Sequence, residues 1–137
     1  NEGFSTLTEH LMGYGDTDFL LDSFVDNPQT PLMQWGLGTN LTAEYGAGMM
    51  FLIYLYDRYG LEAVQEIAAD SANDLQAVDN MLAKRNEPSS DVIFADWVLA
   101  LLDPTSCTSG SSSSHCTRTF APSGWRYRRS ARTDTSA

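Results

Sequence analysis

The sequence predicts an all-α domain followed by a tail without regular structure. Apolar residues recur at three- and four-residue spacing through most of residues 1–104, and no segment there alternates with period two for long enough to form a strand. After Pro104 the periodicity is lost and Ser, Thr and Arg dominate. We therefore predict about five helices around a central apolar helix in residues 1–104, and a disordered tail in residues 105–137.

The first predicted helix runs from Glu2 to about Met12, because apolar residues from Phe4 to Leu11 recur on one helical face. Gly13 is suited to ending it, since glycine readily adopts the left-handed conformation of a C-terminal cap. Residues 16–41 contain two prolines and two glycines. We predict a loop there with one helical turn at about residues 19–25, and so long a connection is often functional.

The second predicted helix, from about Ala43 to Tyr59, is apolar on nearly all sides and should be the central buried helix. Thr42 is its predicted N-cap and Gly60 its end. We expect the other predicted helices to leave part of its apolar surface uncovered. Those that follow are placed at about Leu61–Asp70, Leu75–Arg85 and Asp91–Leu102, with Asp74 and Ser90 as the caps of the last two.

The charge excludes some classes of partner. The chain carries a formal charge of −10, and acidic proteins do not bind nucleic acid or anionic membranes through their net charge. The most apolar run, residues 46–56, is shorter than the roughly 20 residues of a membrane span. The charge is unevenly distributed: residues 1–104 contain 17 acidic and three basic side chains, whereas the tail has five arginines and one aspartate. A shift of reading frame would also produce so abrupt a change.

Several residues have ordinary structural interpretations. His10 is expected to be a hydrogen-bonded helix residue, Asp57 and Arg58 an exposed pair, and Trp35 and Trp97 core residues. In the tail, Cys107, His115 and Cys116 match no common zinc-site spacing and lack a fourth ligand. The sequence does not decide whether these two cysteines form a disulfide or are free thiols. The sequence contains no H-E-x-x-H, no G-x-S-x-G and no phosphate-binding glycine loop.

Five segments resemble a known family when they are taken in order. The opening NEGFSTLTEHLMGYG is similar to the segment that follows the H-E-x-x-H helix of gluzincin metallopeptidases, which often reads W-x-N-E-G-x-S/A-E. NPQTPLMQW, EYGAGMMFLIYLYDRYG, VDNMLAKRN and DVIFADWVLALLDP resemble later segments of the same domain. Together they are similar to bacterial zinc peptidases of the immune-inhibitor-A-like or peptidase-MA-like type. The similarity covers about residues 1–104 and does not extend to the tail.

The resemblance implies roles for individual residues. Glu2 matches the glutamate that is the third zinc ligand, and Asn1 and Ser5 would support that ligand or pack beside it. Tyr45 matches a tyrosine placed to stabilise the oxyanion formed from the peptide carbonyl, a task suited to a phenol donor. The substrate would be a peptide or protein, hydrolysed by zinc-activated water. Relatives of this type are typically exported, which implies an extracellular or cell-envelope location.

The sequence also departs from the family pattern. Catalytic zinc needs about three protein ligands and a general base, and the family takes two histidines and the base glutamate from H-E-x-x-H. These residues are not in this chain. We therefore interpret residues 1–104 as the C-terminal helical part of a peptidase domain, inactive alone and completed by an N-terminal part of the same domain. The alternative is a non-catalytic helical interaction module of the same fold.

Overall fold

The computed structural model describes residues 2–34 and 40–102, and this part of the chain is entirely helical. No strand occurs in it, so the predicted all-α class is confirmed. The six helices are α1 (Glu2–Met12), α2 (Asp18–Asp26), α3 (Leu41–Tyr59), α4 (Leu61–Ala69), α5 (Leu75–Lys84) and α6 (Ser90–Leu102). Helix α2 is a difference from the prediction, because the expected single turn extends to nine residues. The predicted tail, residues 105–137, lies outside the described residues.

Helix α3 is the centre of the fold, as predicted. Its residues Met49, Met50 and Leu55 have at most 1% of their surface exposed, and α1, α2 and α4 all pack against it. Residues 46–47 and 49–55 of α3 are buried, and α2 adds Leu21 and Phe24 to the same core. Leu41 at the start of α3 is 56% exposed, so part of the apolar surface of this helix is uncovered, as expected. Within the described residues, no helix has the length and hydropathy of a membrane span.

Two glycines, Gly46 of α3 and Gly3 of α1, allow the neighbouring helices to approach closely. A Cβ built on Gly46 would overlap the carbonyl oxygen of Leu20 in α2. A Cβ on Gly3 of α1 would lie 3.1 Å from the backbone carbon and oxygen of Gly48. Side chains at these positions would separate the helices, because core packing leaves no room for an added methyl group. The lack of a side chain at Gly46 and at Gly3 therefore allows the short distances from α2 and α1 to α3.

An aromatic cluster joins α2, α3 and α6. Trp97 stacks on Phe24 at a centroid distance of 5.8 Å and meets Phe51 edge-on at 5.2 Å. Phe94 lies 5.4 Å from the same indole. The prediction that Trp97 is a core residue is confirmed, since only 3% of it is exposed. Its buried indole N–H has no hydrogen-bond partner among the described residues. Trp35 lies outside them.

The N-termini of α3 and α6 are capped by side chains that the sequence analysis did not predict as caps. Asn40 Oδ1 accepts a hydrogen bond from Ala43 N at 3.2 Å, so Asn40 is the N-cap of α3 in place of Thr42. Asp79 of α5 accepts from Ser90 N at 2.7 Å at the start of α6. Carboxylates and amides at helix N-termini satisfy backbone N–H groups that have no intrahelical partner. Asp74 caps α5 through Gln76 N, as predicted.

Ion pairs hold the α3–α6 half together. Arg58 donates to Asp96 at 3.1 Å and to the Tyr54 hydroxyl at 2.8 Å, so the predicted exposed pairing with Asp57 is wrong. Its partner Asp96 lies on α6, far along the chain, which sequence spacing could not reveal. In a second pair Arg85 donates through both Nη atoms to Glu66, at 2.9 and 3.1 Å. Such bidentate geometry is the most stable form of a surface ion pair.

We expect Gly46→Ala to destabilise the protein by about 3 kcal/mol, because the new methyl group meets a backbone carbonyl that cannot rotate away. Gly3→Ala is expected to cost less than about 1 kcal/mol, since alanine's helix preference offsets the tighter contact. Denaturant unfolding followed by circular dichroism measures both, with the exposed Ser5→Ala as control. A Gly46→Ala protein as stable as the wild type would contradict the close α2–α3 contact.

We expect the Glu66–Arg85 pair to make stability depend on pH. Hydrogen bonding from Arg85 lowers the pKa of Glu66 below its ordinary value. A lowered pKa in the folded state contributes stability above the unfolded pKa of about 4.3, and this is lost as pH falls through the folded value. Glu66→Gln should therefore lower the urea midpoint at pH 6 and have little effect near pH 3. An equal effect at both pH values would show that charge is not involved.

Candidate functional site

The first turn of α1 is fixed against the central helix. Glu2 begins α1, and the adjacent Gly3 lies against Gly48 of α3. The buried Thr6 hydroxyl donates back to the Gly3 carbonyl at 3.0 Å, which satisfies the hydroxyl inside the turn. The carboxylate of Glu2 is therefore carried by backbone that packing holds in place, while its own side chain is exposed.

The first turn of α3 is fixed from the other side by α2. Asn40 caps the turn, and its side chain also contacts the Ser23 hydroxyl of α2 at 3.3–3.4 Å. Tyr45 follows one turn after this cap and packs with its ring partly buried against the core. The direction of its phenol is thus set by a capped helix end and by core contacts on the same element.

The structure brings the two predicted site residues together. The Tyr45 hydroxyl donates to Glu2 Oε2 at 3.3 Å, although 43 positions separate the two residues in the chain. The negative charge of Glu2 raises the pKa of Tyr45 above its ordinary value, helped by desolvation and by the hydrogen bond. The phenol is therefore held neutral over a wider pH range, and a neutral phenol is the form that donates a hydrogen bond.

The pair consists of one exposed carboxylate and one phenol hydroxyl that donates a hydrogen bond to it. A glutamate carboxylate is an established zinc ligand, and Glu2 Oε1 has no hydrogen bond within residues 2–34 and 40–102. In that part of the chain no three His, Cys, Asp or Glu side chains are grouped to hold a metal ion. Glu2 thus fits zinc as a single donor, and further ligands are required for a catalytic site.

The other predicted site residues contribute less to this arrangement. Ser5 lies one turn after Glu2 on α1, is exposed, and makes no hydrogen bond to Glu2 in the described part of the chain. Asn1 lies outside the described residues, as do Cys107, His115 and Cys116 of the tail. The structural role expected of His10 is confirmed: its Nδ1 lies 3.1 Å from the Thr17 hydroxyl, closing the turn between α1 and α2.

Sequence reasoning did not single out Glu44, which precedes Tyr45. Only 3% of this glutamate is exposed, and its backbone N–H donates to Asn40 in the first turn of α3. A buried carboxylate is uncommon in a core helix and requires a partner. The sequence does show an acidic residue near the start of an otherwise apolar helix. Acidic residues are common at helix N-termini because they interact favourably with the helix dipole, so this position alone did not indicate a buried carboxylate.

Comparisons with known proteins do not assign a family. A scan against family models, a search of curated proteins and a search of solved structures each give no match to this chain. The resemblance to gluzincins therefore depends on the sequence motifs, and the contact between Glu2 and Tyr45 is the structural observation to set beside them.

We expect Glu2→Gln to lower the pKa of Tyr45 toward the ordinary tyrosine value, because the substitution removes the charge that disfavours the phenolate. The Cζ chemical shift of Tyr45, followed by carbon NMR through alkaline pH, measures this directly. Glu9→Gln on the same helix is the matched control, since Glu9 is exposed and lies about two turns further along α1. An unchanged Tyr45 titration in Glu2→Gln would show that the two side chains do not interact in solution.

Proposed function

We propose that residues 1–104 are the C-terminal helical part of a zinc-dependent peptidase domain. Glu2 is a zinc ligand in this proposal, and Tyr45 is the hydrogen-bond donor to the reacting carbonyl. Substrates are peptides or proteins, and the setting is extracellular or at the cell envelope, as the family resemblance implies. The chain is inactive until an N-terminal part of the same domain supplies the two histidines and the general base.

The contact between Tyr45 and Glu2 is the observation that supports this proposal most directly. The resemblance assigned the two residues to one catalytic centre from motifs in different segments, without information on their distance. The separation of 3.3 Å between the phenol oxygen and the carboxylate oxygen supports assigning both groups to one centre. The Tyr45 phenol is protonated at neutral pH, as any tyrosine of ordinary or raised pKa is, and it is therefore in the form that donates a hydrogen bond.

The chain's own residues perform two tasks in such a reaction. Bound zinc supplies a water activated at neutral pH. The first turn of α1 packs against α3 at Gly3, and the Glu2 carboxylate accepts a hydrogen bond from Tyr45 of α3. Tyr45 donates its hydroxyl hydrogen to the carbonyl oxygen as negative charge develops there, and one such donor lowers a barrier by about 3 kcal/mol.

A non-catalytic helical interaction module is the second candidate. An exposed apolar group favours it, because Met12, Tyr14 and Phe19 are 58–69% exposed within one short segment. Zinc content distinguishes the two candidates. The protein encoded by the complete gene is expected to bind one equivalent of zinc if it is a peptidase and none if it is an interaction module.

The first test is the DNA upstream of the Asn1 codon. We expect it to encode H-E-x-x-H within a few dozen residues, since the third ligand of this family follows that helix closely. An intact upstream reading frame without this motif would rule out the peptidase. This test is independent of whether the chain folds or binds metal on its own.

The second test uses variants of the complete gene product. Tyr45→Phe is expected to lower kcat about 10²–10³-fold with one zinc still bound, because only the oxyanion donor is lost. Glu2→Gln is expected to lose both zinc and activity. Glu9→Gln, an exposed glutamate on the same helix, is the control for charge. Peptidase activity that is undiminished in Glu2→Gln would overturn the proposed role of that carboxylate.

A further inference from the structure

A corner of the molecule exposes large apolar side chains between α1 and α2. We define the α1–α2 corner as residues 9–26. Within it Leu11, Met12, Tyr14 and Phe19 are 42%, 64%, 69% and 58% exposed. Leu11 was expected on the buried face of α1, and its exposure corrects that prediction. Four large apolar side chains within nine positions are more than the scattered single residues of an ordinary surface.

The α1–α2 corner also carries negative charge that no nearby lysine or arginine balances. All of its carboxylates are exposed, and they belong to Glu9, Asp16, Asp18, Asp22 and Asp26. No lysine or arginine occurs anywhere in residues 2–34. All ion pairs in the described part of the chain are formed by residues of the α3-to-α6 segment. There Arg58, Lys84 and Arg85 each bind a carboxylate of the same segment. The corner therefore combines apolar groups with negative charge that the described residues do not neutralise.

The sequence contains a segment of the opposite character. Trp125–Arg129 reads WRYRR and alternates aromatic with basic residues, and Arg118 and Arg132 flank it. Arginine suits this pairing because its guanidinium binds carboxylates in a bidentate manner and stacks on aromatic rings. Both the charge and the apolar groups of the corner thus have complements in one five-residue segment.

The connecting chain is long enough for the segment to reach the corner. Residues 103–124, 22 in number, lie between Leu102 and Trp125. A random coil of that length spans roughly 25 Å on average, against a radius of gyration near 13 Å for a domain of about 100 residues. Linkage at this length gives an effective concentration of the order of millimolar. A weak contact is therefore sufficient, although each exposed ion pair contributes at most about 1 kcal/mol.

A second copy of the α1–α2 corner is a poor occupant. Symmetric pairing would place its five carboxylates against the same five from the partner, and like charges oppose close approach. We propose that the basic aromatic segment Trp125–Arg129 docks on the α1–α2 corner of its own chain. This is an interaction within the molecule, and it is independent of the proposed peptidase function.

The experiment uses the full chain labelled with fluorotryptophan. The indole resonances of Trp35, Trp97 and Trp125 are assigned by single Trp→Phe substitutions. We expect the Trp125 resonance to move toward its value in the denatured chain when salt is raised from about 20 mM to about 0.5 M, because screening weakens the ion pairs. The Trp97 resonance, which reports the core, should stay in place.

Matched variants locate the contact. Phe19→Ser and the double change Asp18→Asn with Asp22→Asn should each move the Trp125 resonance toward its denatured position. Their controls are Val92→Ser, which removes another exposed apolar residue, and Glu62→Gln with Asp91→Asn, which removes the same charge from α4 and α6. These controls should leave the Trp125 resonance unchanged at low salt.

Three outcomes would overturn the proposal. A Trp125 resonance at its denatured position in low salt would show that the segment does not dock. Equal responses to the corner variants and the control variants would show that general charge attraction, and not the corner, is involved. A Trp125 shift that depends on protein concentration, with dimers in sedimentation, would show that docking occurs between molecules.

Discussion

The close approach of α1 and α2 to the glycines of α3 is the constraint on which the remaining structure depends. With no side chain at Gly46, the carbonyl of Leu20 lies directly against α3. With none at Gly3, the start of α1 lies against Gly48. Both helices can then cover a central helix that is apolar on nearly every side. Burial of that helix is the main source of stability available to so small a domain.

The same constraint positions the candidate site. The backbone of Gly3 lies against α3, and the neighbouring Glu2 accepts a hydrogen bond from Tyr45 across the helix–helix contact. Asn40 and Ser23 fix the end of α3 from the α2 side. A carboxylate and a phenol are thereby held by three packed helices, and such pre-organisation is what a metal ligand and an oxyanion donor both require.

The two parts of the molecule differ in ion pairing and in exposed apolar surface. From α3 to α6 each basic side chain has a carboxylate partner, and these pairs join α4 to α5 and α3 to α6. From α1 to α2 the carboxylates have no basic partner within the described residues, and large apolar side chains are exposed beside them. Residues 41–102 nevertheless carry ten carboxylates against three basic side chains, so both parts of the molecule are acidic. The α1–α2 part presents a surface whose chemistry matches a basic, aromatic segment.

The sequence by itself determined the helical class, the central position of α3 and the approximate ends of α4, α5 and α6, because apolar periodicity and glycine signals are local. It also selected Glu2 and Tyr45, through motifs, but not their separation. Only the tertiary structure decided that residues 18–26 form a full helix, that Asn40 caps α3, and that Arg58 binds Asp96. Each of these depends on contacts between residues distant in the chain. Such contacts exist only once helices pack, so local pattern could not reveal them.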